Sequence, residues 1–207
     1  MSKNTFKGFN DLVFQIAHQF YTWKYLQKSE NSQAYNMRSA FWITTITTLQ
    51  SSYLLNLANI FDENDARVLS VYTFIDELMD NSKKASLLSK IKNNKCENIL
   101  KKLMQWRNNY LAHKNKYFTL NPSELTTKFP FKYGEIETVL SLLSEILEET
   151  KWEFDPKNAT DYKKYYEEVE CRCIEHTKFV LNYGLHTQGY KKAMTGRLIK
   201  LLKTKLK

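Results

Sequence analysis

A chain of 207 residues can bury one sizeable core and is short for two full domains. Hydrophobic residues at 43%, aromatics at 14%, five glycines and three prolines exclude wholesale disorder, suit long helices and disfavour the many turns of an all-β fold. Lys and Arg outnumber Asp and Glu by 31 to 22, a formal net charge of +9, and no run of about 18 or more uncharged apolar residues offers a membrane span.

The start, Met1-Ser2-Lys3-Asn4-Thr5, lacks the apolar run of a signal peptide, so a cytosolic location is expected. From Phe6 to Ser29, Phe9, Leu12, Val13, Ile16, Phe20, Trp23 and Leu26 recur at helical spacing and predict an amphipathic first helix with His18 beside the stripe as an ordinary packed or surface residue. Ser32 to Phe61 carries a second stripe, Trp42, Ile46, Leu49, Tyr53, Leu57 and Ile60. Its β-branched cluster, Ile43 to Thr48, favours strand, but length and the sustained 3.6-residue period favour helix. Phe61 to Asp65 breaks the pattern and reads as a loop, after which Ser70 is placed to cap a short helix through Met79, packed by Val71, Phe74, Ile75 and Leu78. The lysine-rich segment from Ser82 to Asn94 is expected to be an exposed, weakly packed bridge.

The residues that break a packing pattern lie next. On a helical wheel from Ile99 to Lys114, Ile99, Leu100, Leu103, Met104, Trp106, Tyr110 and Leu111 fill one apolar arc, and Arg107 falls near its middle. An unpaired guanidinium there would cost several kcal/mol, so it requires an anion, a partner subunit or a water-filled cleft. Asp62, Glu63, Asp65 and Asp76 are the nearest acids in sequence that could hold it in a purely structural pair. His113 sits about 120° round the wheel and roughly 9 Å further along the axis, so on one ideal helix the two do not meet. Either the helix ends or bends between them, or two copies of it combine across a two-fold axis.

Arg107, Asn108, Ala112 and His113, with five residues between Arg and His, resemble the Arg-X(4 to 6)-His motif of the HEPN superfamily (higher eukaryotes and prokaryotes nucleotide-binding). With Ile60-Phe61-Asp62 and Leu69-Ser70-Val71 upstream, the chain is more particularly similar, over about residues 35 to 150, to the abortive-infection U-type branch. The resemblance implies an all-α fold, an antiparallel helical bundle of HEPN type over residues 1–153 with a helical extension over 154–207. It implies a metal-independent endoribonuclease without cofactor, a toxin or antiphage defence effector, homodimeric through the motif-bearing helices. RNA supplies its own nucleophile, the 2′-hydroxyl. His113 suits the base or acid, Arg107 the stabilisation of phosphorane charge, and Asn108 a lesser role in positioning phosphate or orienting His113. The alternative is a non-catalytic relative that binds RNA, nucleotide or a partner protein, and a helical interaction protein working through a basic tail is a third class. Two departures stand out: no well-placed acid lies beside the motif, and the spacing does not by itself make a pocket. No nucleotidyltransferase segment marks a fused antitoxin, so a neutralising partner would be a separate protein.

Lys114 and Lys116 continue the basic character and suit either a passing phosphate backbone or a solvated helix end. Asn121-Pro122-Ser123-Glu124 reads as a cap within a linker running to Gly134. Ile136, Val139, Leu140, Leu143, Ile146 and Leu147 then give the cleanest amphipathic helix, with Glu135, Glu137, Glu145 and Glu148 on a face expected to be merely solvated. Asp155-Pro156 is expected to start another helix whose apolar face runs through Tyr162, Tyr165, Tyr166, Val169, Cys173 and Val180. Three cysteines without paired spacing argue against disulfides, and Cys171-X-Cys173 with His176 makes a poor metal corner because alternate residues on a helix point apart. From Tyr190 to Lys207 the tail carries seven positive charges and no acid, leaving +2 for the rest, in an amphipathic pattern. Lys191, Lys192, Arg197 and Lys200 are the candidates, with Lys114 and Lys116, for RNA contact; an acidic partner, an anionic membrane surface or simple solubility would use the same charges.

Overall fold

A computed structural model describes residues 3–28, 39–63, 69–111 and 127–181. These are helical almost throughout, and no strand occurs among them. In chain order α1 spans Lys3–Leu26, α2 Ser39–Ile60, α3 Val71–Asp76, α4 Asn81–Ile91, α5 Asn94–Trp106 and α6 Tyr133–Phe154. A π turn over Arg107–Leu111 prolongs α5, and α7 covers 162–181. The β-branched cluster of α2 is helical, as length and period require. Asn121 to Glu124, Gly184 and Gly189 lie outside the described residues.

Side-chain caps set the starts of the three middle helices. Ser70 Oγ accepts from Thr73 N at 3.2 Å while Thr73 Oγ1 accepts from Ser70 N at 3.0 Å, a reciprocal capping box. Asp80 accepts from Ser82 N and Lys83 N, and Asn93 from Lys95 N. The Asp80 cap overturns the expected loose bridge from Ser82. The segment forms α4, which buries Leu87 and Ile91 and sends its lysines across to α6, Lys83 to Glu153 at 2.6 Å and Lys90 to Glu149. α3 ends at Asp76, shorter than predicted, with Leu78 still buried beyond it.

The core is an antiparallel bundle, and its contacts give the directions. Phe6, near the start of α1, meets Phe154 at the end of α6 at 5.4 Å, and Lys24, near the end of α1, pairs with Glu137 of α6 at 2.5 Å. α2 runs back along α1, with Phe20 edge-on to Tyr53 and Asn56 bonded to Gln19. Phe74 of α3 stacks between Phe9 of α1 at 4.2 Å and Phe154 of α6 at 4.9 Å, each such pair adding about 0.5–1.5 kcal/mol beyond its area. α7 follows the direction of α1: Tyr162 lies edge-on to Phe6, and Glu170 shares Lys24 with Glu137.

Three expectations about α6 and α7 are corrected. The acidic face of α6 is not merely solvated, because Glu135 pairs with Lys102 of α5 and Glu137 with Lys24, while Glu148 accepts the backbone N–H of Tyr162. Asp155 terminates α6 and does not begin the next helix, which starts at residue 162 with Tyr162, Tyr166, Val169 and Cys173 buried. Val180 does not continue that face; it is exposed. Cys173 is buried with its thiol directed to His18 O, whereas Cys171 on the same helix is exposed, so the two sulfurs do not converge.

Candidate active site

α5 is amphipathic, and its buried side, Cys96, Ile99, Leu103 and Trp106, fastens it to the core. Trp106 Nε1 donates to Phe129 O at 2.9 Å, which fixes the last α-helical residue before the backbone changes register. The helix then widens, with Arg107 to Leu111 in a π turn, a local insertion that recurs at functional sites. Arg107 remains helical, and its backbone N–H reaches Leu103 O and Met104 O. The Arg107 side chain is 24% exposed and its Nη1 lies 2.6 Å from Oδ2 of Asp62, whose own side chain is 8% exposed.

The guanidinium thus meets two of its predicted requirements, an anion and a cleft. The anion is Asp62, one of the four acids the sequence offered. The cleft is an open groove of about 590 Å³ bordered by Arg107, Asn108, Asp62, Tyr72, Lys92 and Lys101. Asn109, by contrast, turns to its own helix and donates to Gln105 O at 2.8 Å. Of the predicted catalytic residues the structure brings Arg107 and Asn108 to one groove. His113, Lys114, Lys116, Lys191, Lys192, Arg197 and Lys200 lie outside the described residues.

Two other residues that border the groove were not legible in the sequence as part of a site. Tyr72 comes from α3 and Lys92 from the cap of α4, and only tertiary packing sets them beside α5. Burial raises the Tyr72 phenol well above its ordinary value, and the adjacent Glu63 carboxylate, accepting its hydrogen bond, raises it further, so Tyr72 stays a neutral donor. Charge along the groove is balanced: Arg107, Lys92 and Lys101 stand against Asp62, Glu63 and Glu97, and Lys101 pairs with Glu97 at 2.8 Å. Among the described residues, no three or more His, Cys, Asp or Glu gather as a metal site would need, and no helix is long and apolar enough to cross a membrane.

Bundle and groove together define an all-α helical domain, with Arg107 on the π turn that prolongs α5. The HEPN-AbiU2 family model, described as AbiU2, matches residues 3–170, and the chain belongs to that family. It is therefore an abortive-infection-related HEPN domain, and the matched span takes in Asp62, Arg107, Asn108 and His113. Comparison with curated proteins gave no match, and neither did comparison with solved structures.

Proposed function

We propose that the chain is an endoribonuclease that cuts RNA by attack of the 2′-hydroxyl on its own phosphodiester, acting as a toxin or antiphage effector. The observation that carries this reading is Arg107 on the π turn, beside Asn108 and bordering a groove open to solvent. A permanently charged planar fork suits a phosphate whose charge grows in the transition state. His113, six positions on in sequence, supplies the proton transfer, and the products carry a 2′,3′-cyclic phosphate and a 5′-hydroxyl. This chemistry requires neither a metal nor a protein nucleophile. Lys114, Lys116, Lys191, Lys192, Arg197 and Lys200 add phosphate contacts, so deleting 190–207 should flatten the salt dependence of RNA binding. Two copies pair through the motif-bearing helices, and a separate antitoxin restrains them; light scattering that finds only monomer would exclude the pairing.

Purified protein is incubated with total RNA in EDTA, with His113→Ala beside it. Cleavage by the wild type and none by the variant supports the assignment. Cleavage that vanishes on chelation, or persists in His113→Ala at the wild-type rate, defeats it. A second reading, a non-catalytic module for RNA, nucleotide or protein, draws on the Asp62 pair and the balanced groove, which lower the pull on anions. Binding without turnover would favour it.

A further inference from the structure

Asp62 stands just past the last turn of α2, its N–H bonded to Asn59 O at 3.0 Å. Its carboxylate is almost wholly enclosed against Arg107. Fastening α2 to α5 does not demand such a pair, since apolar residues of similar volume serve at least as well where two ions must be desolvated. A carboxylate differs from a leucine in fixing the plane and direction of a guanidinium. The guanidinium has five N–H donors, and Asp62 engages the Nη1 end of a side chain that also borders the groove.

We propose that Asp62 is the positioning residue for Arg107, aiming the rest of its fork into the groove, and that its negative charge sets how strongly Arg107 holds a phosphate before reaction. This rests on the RNA-cleaving reading above. A lone arginine would also hold the ground-state phosphodiester, and that share of its attraction tightens binding without speeding the chemical step. With Asp62 beside it, the guanidinium is oriented in advance and its ground-state pull is reduced. The two effects separate in kinetics. Asp62→Asn keeps the shape and removes the charge, so KM for RNA should fall, by about threefold or more, as the attraction is unmasked. kcat should fall about tenfold or more as the fork loses its anchor. Asp62→Glu restores the charge one methylene out of place and should give a kcat between those of Asp62→Asn and the wild type.

The test is steady-state cleavage of one RNA by wild type, Asp62→Asn and Asp62→Glu, with melting curves to establish folding. Alongside it, the Arg107 Nε–Hε NMR signal, identified by its loss in Arg107→Lys, is followed during titration with inorganic phosphate. Opposed changes in KM and kcat, a broadened Arg107 signal and tighter phosphate binding in Asp62→Asn support the proposal. A folded Asp62→Asn with wild-type kcat, KM and Arg107 signal overturns it. Should Asp62→Asn fail to fold, a folded Asp62→Glu with wild-type kcat overturns it, and a lowered kcat at unchanged stability supports it. If the wild type cuts no RNA, the functional reading fails, and the NMR signal and phosphate titration alone decide the role of Asp62.

Discussion

Removing Arg107 takes the guanidinium away from a carboxylate whose side chain is only 8% exposed, and breaking such an enclosed ion pair costs up to roughly 3–5 kcal/mol. Arg107→Ala is therefore expected to be less stable by up to that amount, while Arg107→Met combined with Asp62→Leu should recover most of the loss. Urea titrations of the two variants check this, and an unchanged midpoint for Arg107→Ala would show that Asp62 does not depend on the pair. An inactive Arg107→Ala says little about chemistry unless its folding is measured with it. Arg107 was legible because a cation in an apolar arc is a misfit that needs a cause. Asp62 was legible only as one of four nearby acids. Tyr72 and Lys92 were not, because nothing local tells which polar residues of a short helix will border a cleft made by another helix.

The π turn is the element that sets the groove apart from the rest of the bundle. A π turn holds one residue more than an α turn, so deleting one should return the helix to regular register. Asn109 is the residue to remove, since its side chain bonds back to Gln105 on the outer side. The deletion is expected to keep the helical circular dichroism while cleavage falls at least about tenfold, because Arg107 and Asn108 lose the widened turn that sets them at the groove. Wild-type cleavage after the deletion would show that the register is immaterial. The long elements α1 and α6 were readable because each buries a continuous stripe. α4 was misread because it has few core residues and many lysines. Its stability comes from the Asp80 cap and from ion pairs to α6, partners that only the folded chain brings near.

Across the whole molecule, stability should depend on pH at both ends. Burial, with His176 nearby, lowers the His18 imidazole below its ordinary 6.5. The unfolded chain then binds the proton more readily, so this contribution is present above about pH 6.5 and is lost as pH falls below it. His18→Gln should flatten the decline in melting temperature between about pH 7 and pH 5, and an equally steep decline would place its origin elsewhere. At the alkaline end, burial raises the phenols of Tyr53 and Tyr166 far above 10.0. Unfolding releases both to ionise, so their stabilising effect is complete below about pH 10 and is lost above it.

The ring stack Phe9, Phe74 and Phe154 also sets an order of events during synthesis. Phe74 sits two residues after Tyr72, so the helix that brings Tyr72 to the groove is clasped by rings from α1 and α6. A growing chain can hold Phe74 from both sides only once α6 has left the ribosome. Arg107 and Asp62 are translated well before that, so a prematurely terminated product lacking Phe154 carries both members of the ion pair but not the full clasp on the helix that bears Tyr72. Ribosome-bound fragments ending before and after Phe154 would therefore differ in protection of Tyr72 from chemical modification.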